Sequence, residues 1–260
     1  MINTDSRTGT KRIPEIDLFR GIAVLMMILF HTLFDQYYFG LFTIDIHSGF
    51  WGGFGYLTGF LFVFIAGISA WISGRRAEAK MDRRGIYIKF LKRGLFIFSI
   101  GLGITVVTWF FAPKSPIIFG TLHLIGFSVM VAPLFFRFSV KNIYIGAAII
   151  LAGLLIQGVS GDPALTIIGI HAPDFSTLDY KPLIPWYGYF LAGLALSAYL
   201  YPGGKKRIYP EKVKRLKTIK IPAPEFIQVI GRHSLIIYLV HQPVIIILLS
   251  IIYGKMLLSV

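Results

Sequence analysis

Apolar residues in this chain run in long blocks, separated by short polar stretches that are mostly basic. Seven blocks stand out, at roughly 17–39, 50–73, 89–111, 117–136, 143–160, 183–201 and 226–253, each at or near the ~20 residues that carry a helix across ~30 Å of hydrocarbon. Lipid accepts only backbone that satisfies its own hydrogen bonds, so such blocks predict helices. The pattern predicts an all-α, polytopic membrane helix bundle of about seven transmembrane helices with a cytoplasmic N-terminus. It reads as one membrane-embedded domain over 1–260, which includes a cytoplasmic N-terminal tail at 1–15. The last block contains "HQP", and Pro243 predicts a kink there. No small-residue cleavage pattern follows the first block, which reads as a retained span.

Composition agrees. Of 260 residues, 55% are hydrophobic and 15% charged, against about 45–50% apolar and about 25% charged in ordinary soluble domains. The formal charge of +14 raises the question of nucleic acid. The arrangement of the basic residues answers it. With the N-terminus inside, 23 of the 26 Lys and Arg fall on the cytoplasmic side, and only Lys114, Lys181 and Lys255 fall outside. That is positive-inside bias, and it leaves no basic face for nucleic acid. The chain has no cysteine, which excludes an acyl-cysteine intermediate and any thiolate metal site. No phosphate-binding loop, H-E-x-x-H helix or G-x-S-x-G elbow occurs, and no metal is expected.

The first block, "FRGIAVLMMILFHTLFDQ", is apolar enough for lipid and yet carries Arg20, His31 and Asp35. Eleven helical steps separate Arg20 from His31, which puts both on one face about 16 Å apart. Asp35 follows His31 at i,i+4, within side-chain reach. The three make a stripe from the inner to the outer side. Each has a plain structural explanation: Arg20 snorkelling to headgroups beside Asp17, His31 bonding between helices, Asp35 capping a helix end. Ionisable groups inside a membrane are costly, however, and three aligned ones point to function.

Other polar residues reach similar depths. His123 lies about 9 Å inward from the outer start of the fourth block, and His241, beside Gln242, about 22 Å from the inner start of the seventh, both near the level of His31. Arg232 and His233 lie nearer the inner side, level with Arg20. His123 and His241 read equally well as satisfied core histidines or as site residues. His47 and His171 sit in outer loops and read as surface residues. Gly55 and Gly59 form a small-xxx-small pair suited to helix packing.

Four segments in order, "FRGIAVLMMILFHTLFD", "FGTLHLIGFS", "TLDYKPLIPWYGYFLAGL" and "GRHSLIIYLVHQP", together resemble the heparan-α-glucosaminide N-acetyltransferase catalytic-domain family in its short prokaryotic form. The likeness runs over about residues 12–250. The Arg-x10-His element of the first segment is shared more widely among transmembrane acyltransferases. The resemblance implies a multi-pass acyltransferase of the cell membrane, moving an acetyl group from cytoplasmic acetyl-CoA to a sugar-like acceptor on the far side. His31 would match the family's first-span histidine and Arg20 its cofactor-side arginine. Asp179 falls in a loop pattern of the family and would contact the acceptor.

The residues suit that chemistry. Arg20 and Arg232, with His233 beside them, would hold CoA phosphates at the inner mouth. His31 would take a proton from the attacking acceptor, with Asp35 orienting the ring. An acetyl-histidine intermediate is the other route. His123, His241 and Gln242 are candidates for binding the acceptor. The expected partners are acetyl-CoA or CoA, the acceptor and membrane lipids; a homo-oligomer is compatible with the sequence. The alternative is a proton-coupled transporter using the same His/Asp stripe as a relay, although no inverted repeat supports it.

Overall fold

A computed structural model describes residues 12–205, 224–254 and 257. The described residues are 75% helical, with no strand among them. Eight α-helices occur there: α1 (Pro14–Tyr38), α2 (Gly49–Glu78), α3 (Arg83–Phe111), α4 (Thr121–Phe135), α5 (Asn142–Ile156), α6 (Leu183–Leu200), α7 (Glu225–Arg232) and α8 (Ser234–Tyr253). The tail to Lys11, the basic residues between Lys206 and Lys220, and Lys255 lie outside the described residues.

Among the described residues six helical runs are long and apolar enough to cross a membrane, where the sequence predicts about seven. The difference lies in Thr121–Ile156, one run of 36 residues that is α4 and α5 joined by a 3-10 stretch, Phe136–Lys141. Ser139 leaves helical geometry at φ 50°. The buried Asn142 amide donates to the Phe135 and Ser139 carbonyls, at 2.9 and 2.8 Å, satisfying groups that the break would orphan. The two halves then run in opposite directions, as the separate fourth and fifth blocks require. α4 pairs antiparallel with α3, where Gly94 faces Met130 and Gly101 faces His123, and α5 pairs antiparallel with α6, where Gly146 faces Gly188 and Gly153 faces Pro185.

The last block contains a break besides the kink expected at Pro243. α8 continues through Pro243, and the break falls at His233. α7 carries Glu225, Gln228 and Arg232 among its apolar residues, so it is an amphipathic segment distinct from the apolar run that begins at Ser234.

The chain divides into two compact units, and the division falls within α2 between Phe62 and Val63. The first holds α1, the start of α2, α7 and α8. α1 begins with Pro14 and bears Glu15 and Asp17 in its first turn, both favourable at a helix N-terminus. α7 lies on α1 with almost no side chain between: a Cβ at Gly21 would fall on the Ile227 carbonyl oxygen, and one at Gly231 on that of Asp17. The second unit holds the rest of α2 and α3–α6. Gly67 and Gly193 let α2 and α6 approach closely, and the Trp71 indole donates to the Tyr201 carbonyl at 3.1 Å.

Candidate functional site

In the first unit α1 and α8 run parallel, since Arg232, just before α8, meets Asp17 while Gln242 meets Asp35. That register makes two polar levels. At the N-terminal level Asp17, only 6% exposed, is a shared anion: Arg20 approaches to 3.3 Å, Arg232 to 3.9 Å and Arg12 to 4.0 Å. Three guanidinium groups thus gather around one carboxylate, and Arg12 and Arg20 keep about a third of their side-chain surface exposed. Asp17 holds Arg232, more than 200 residues away in sequence, beside Arg20. His233 is exposed at the junction of α7 and α8, with its ring Nδ1 at 3.0 Å from the Val229 carbonyl.

About 16 Å further along α1, His31 and His241 meet edge to face, with ring centroids 4.8 Å apart. Both rings are oriented by backbone. His31 Nδ1 lies 3.0 Å from the Met27 carbonyl, and His241 Nδ1 lies 2.6 Å from that of Tyr238. A carbonyl only accepts, so each neutral ring carries its hydrogen on Nδ1 and its lone pair on Nε2. Asp35 is engaged by α8: the Gln242 amide donates to its Oδ1 at 2.8 Å, fixing which way the amide faces. Met27 orients the His31 ring through its main chain, a contact that no side-chain pattern in the sequence signals.

Three atoms of this cluster are buried without a hydrogen-bond partner among the described residues: Asp35 Oδ2, Gln242 Oε1 and His241 Nε2. Leaving such groups unmet costs about 1–3 kcal/mol each. Buried polar groups of this kind are met by water, an ion or a ligand. One turn further along α1 from His31, Phe34 bridges to His47, with ring centroids 6.4 Å from His31 and 6.0 Å from His47. Tyr37 lies 5.7 Å from His47. This aromatic flank was not part of the sequence-level set.

The second unit holds the other two candidates, and both are occupied by structural bonds. His123 Nδ1 accepts from the Gly120 amide at 3.2 Å, and its Nε2 lies 3.2 Å from the Thr105 hydroxyl, which donates to the Ile117 carbonyl at 2.6 Å. Both ring nitrogens are thus used in tying α4 to α3. Asp179 accepts from the Thr121 amide at 2.7 Å and pairs with Lys181 at 3.0 Å, placing its carboxylate at the N-terminus of α4, where the helix dipole favours an anion. Burial alone drives the Asp179 carboxyl upward, but the Lys181 charge and the bonds from Thr121 outweigh it and hold the group below the usual carboxylate range.

A folded-state value below the unfolded one, about 3.9, adds stability above that pH. The contribution is lost as pH falls through the folded value. Asp179→Asn is therefore expected to lower stability by about 1–3 kcal/mol near neutral pH. Thermal unfolding of both proteins over a pH series should show the gap closing towards strong acid; a gap independent of pH would assign the effect to packing.

The four residues His31, Asp35, His241 and Gln242 all lie in segments that carry the likeness to the acyltransferases. The profile for "Heparan-alpha-glucosaminide N-acetyltransferase, catalytic" matches residues 12–243. The chain belongs to that family. As a member it is a membrane acetyltransferase, and the matched region covers both polar levels of the first unit as well as His123 and Asp179. No curated protein and no solved structure gives a significant match. Among the described residues no cluster of three or more His, Asp or Glu is placed to hold a metal ion.

Proposed function

We propose that this acetyltransferase takes an acetyl group from cytoplasmic acetyl-CoA and delivers it to an extracytoplasmic acceptor, an amino sugar or a related glycan, across the cell membrane. His31 is the general base. The observation that carries this reading is the set of buried, unpartnered polar atoms on Asp35, Gln242 and His241 packed beside His31.

The N-terminal level suits the donor. Phosphates bind guanidinium groups through short, charge-assisted bonds, and Arg20 with Arg232 offers two such groups, positioned by Asp17 and Gly231. An extended pantetheine arm is comparable in length with the about 16 Å between the two levels. His31 Nε2 then takes the acceptor's proton as the acceptor attacks the thioester carbonyl. Asp35 Oδ2 and Gln242 Oε1 offer bonds to the acceptor's N–H or O–H groups.

Purified protein is expected to bind CoA, with affinity falling as salt rises. Arg20→Ala should weaken that binding about 10- to 100-fold, by the roughly 1.5–3 kcal/mol of a hydrogen bond to a charged group, as read by calorimetry. Absence of any CoA signal at millimolar concentration would overturn the donor assignment and favour a proton-coupled transporter.

A further inference from the structure

His241 stands apart from the other candidates. Its ring is buried against His31, its Nδ1 is committed to the Tyr238 carbonyl, and its Nε2 has no partner among the described residues. The cluster therefore holds two basic nitrogens, Nε2 of His31 and Nε2 of His241, where the transfer described above uses one. The ionisable side chains placed around them are Asp35, bonded to Gln242; Tyr238, whose ring centroid is 5.6 Å from that of His241; and His47, beyond Phe34.

An amine acceptor supplies a reason for two bases. With a pKa of about 7.7–10.4, an amine is largely an ammonium ion at neutral pH, and nitrogen attacks only after losing a proton. We propose that His241 is a second base, which neutralises an ammonium acceptor before His31 acts. This proposal rests on the acetyl-transfer reading above.

The protons balance. His241 Nε2 takes the first from R–NH3+, leaving R–NH2 with a free lone pair. As the N–C bond forms and the C–S bond breaks, His31 Nε2 takes the second. The departing CoA thiolate recovers one proton, and the other is released to water, giving R–NH–CO–CH3, CoA–SH and one H+ per turnover. Asp35 Oδ2 and Gln242 Oε1 face the ammonium as acceptors, holding its N–H groups without supplying a base.

The test compares two acceptors with acetyl-CoA as donor: a primary alkylamine, which is an ammonium at neutral pH, and hydroxylamine, which is already neutral there. His241→Gln is expected to lower kcat/KM for the alkylamine by about 10²-fold, the scale of a lost acid–base group, and to leave hydroxylamine within about tenfold of wild type. His31→Gln should suppress both. Thermal unfolding and CoA binding on the same samples report folding, and His241→Asn gives the same comparison if the Gln side chain is not accommodated. Equal losses for the two acceptors, with the wild type active, would overturn the second-base role alone. A wild type that transfers acetyl to neither would overturn the acetyl-transfer reading as well.

Discussion

His31→Ala protein is expected to lose acetyl transfer by about 10²–10⁴-fold while still binding CoA. The two properties separate because of the spacing along α1. The guanidinium groups at Asp17 lie about three helical turns from the imidazole, and nothing in their geometry depends on the His31 ring. The change also removes a bond from the ring to the Met27 carbonyl. That carbonyl retains its place in the helix, so the structural cost is small beside the loss of the base. Turnover measured on the folded fraction, with calorimetry of CoA on the same sample, decides the matter. If His31 served only packing, the variant would lose thermal stability while its folded molecules turned over normally; that outcome would sink the base assignment.

The second large effect is expected at Gly231. A Cβ there falls on the Asp17 carbonyl oxygen, which is backbone and cannot swing aside as a side-chain tip does. Gly231→Ala must push α7 off α1, at a cost of about 1–3 kcal/mol on the usual scale of overpacking. It also moves Arg232 away from Asp17 and Arg20, so CoA affinity should fall together with the unfolding temperature. Gly53→Ala provides the contrast. Nothing lies within 4 Å of the added methyl in α2, and replacing a helical glycine should gain about 0.5–1 kcal/mol. A Gly231→Ala protein as stable as wild type would contradict the close backbone contact.

The contrast between His123 and His241 shows what the side-chain pattern hides. Both are histidines in apolar helices, and the sequence offers the same two roles for each. They differ in what meets the second ring nitrogen. Thr105, on a different helix, closes off His123, while Nε2 of His241 stays open beside His31. Such partners come from residues far apart in the chain, and no local spacing encodes them. Asp35 is a similar case. Its distance from His31 in sequence suggests a pair, yet the bond that fixes it comes from Gln242, 207 residues away.

The sequence by itself determined the helical runs, the shared face of Arg20 and His31, and the family. Hydrocarbon length and the 3.6-residue period set the first two, and ordered segments spread along the chain carry the third. Tertiary structure decided the rest. It put a break in the last block at His233, ahead of the apolar run, and carried the helix on through Pro243. It brought Arg232 to Asp17, set His241 against His31, and left three polar atoms without partners. A helical period fixes which residues share one helix face, whereas contacts between helices depend on where small residues let two backbones approach. Here that place is Gly21 and Gly231, and the register they impose assembles the site.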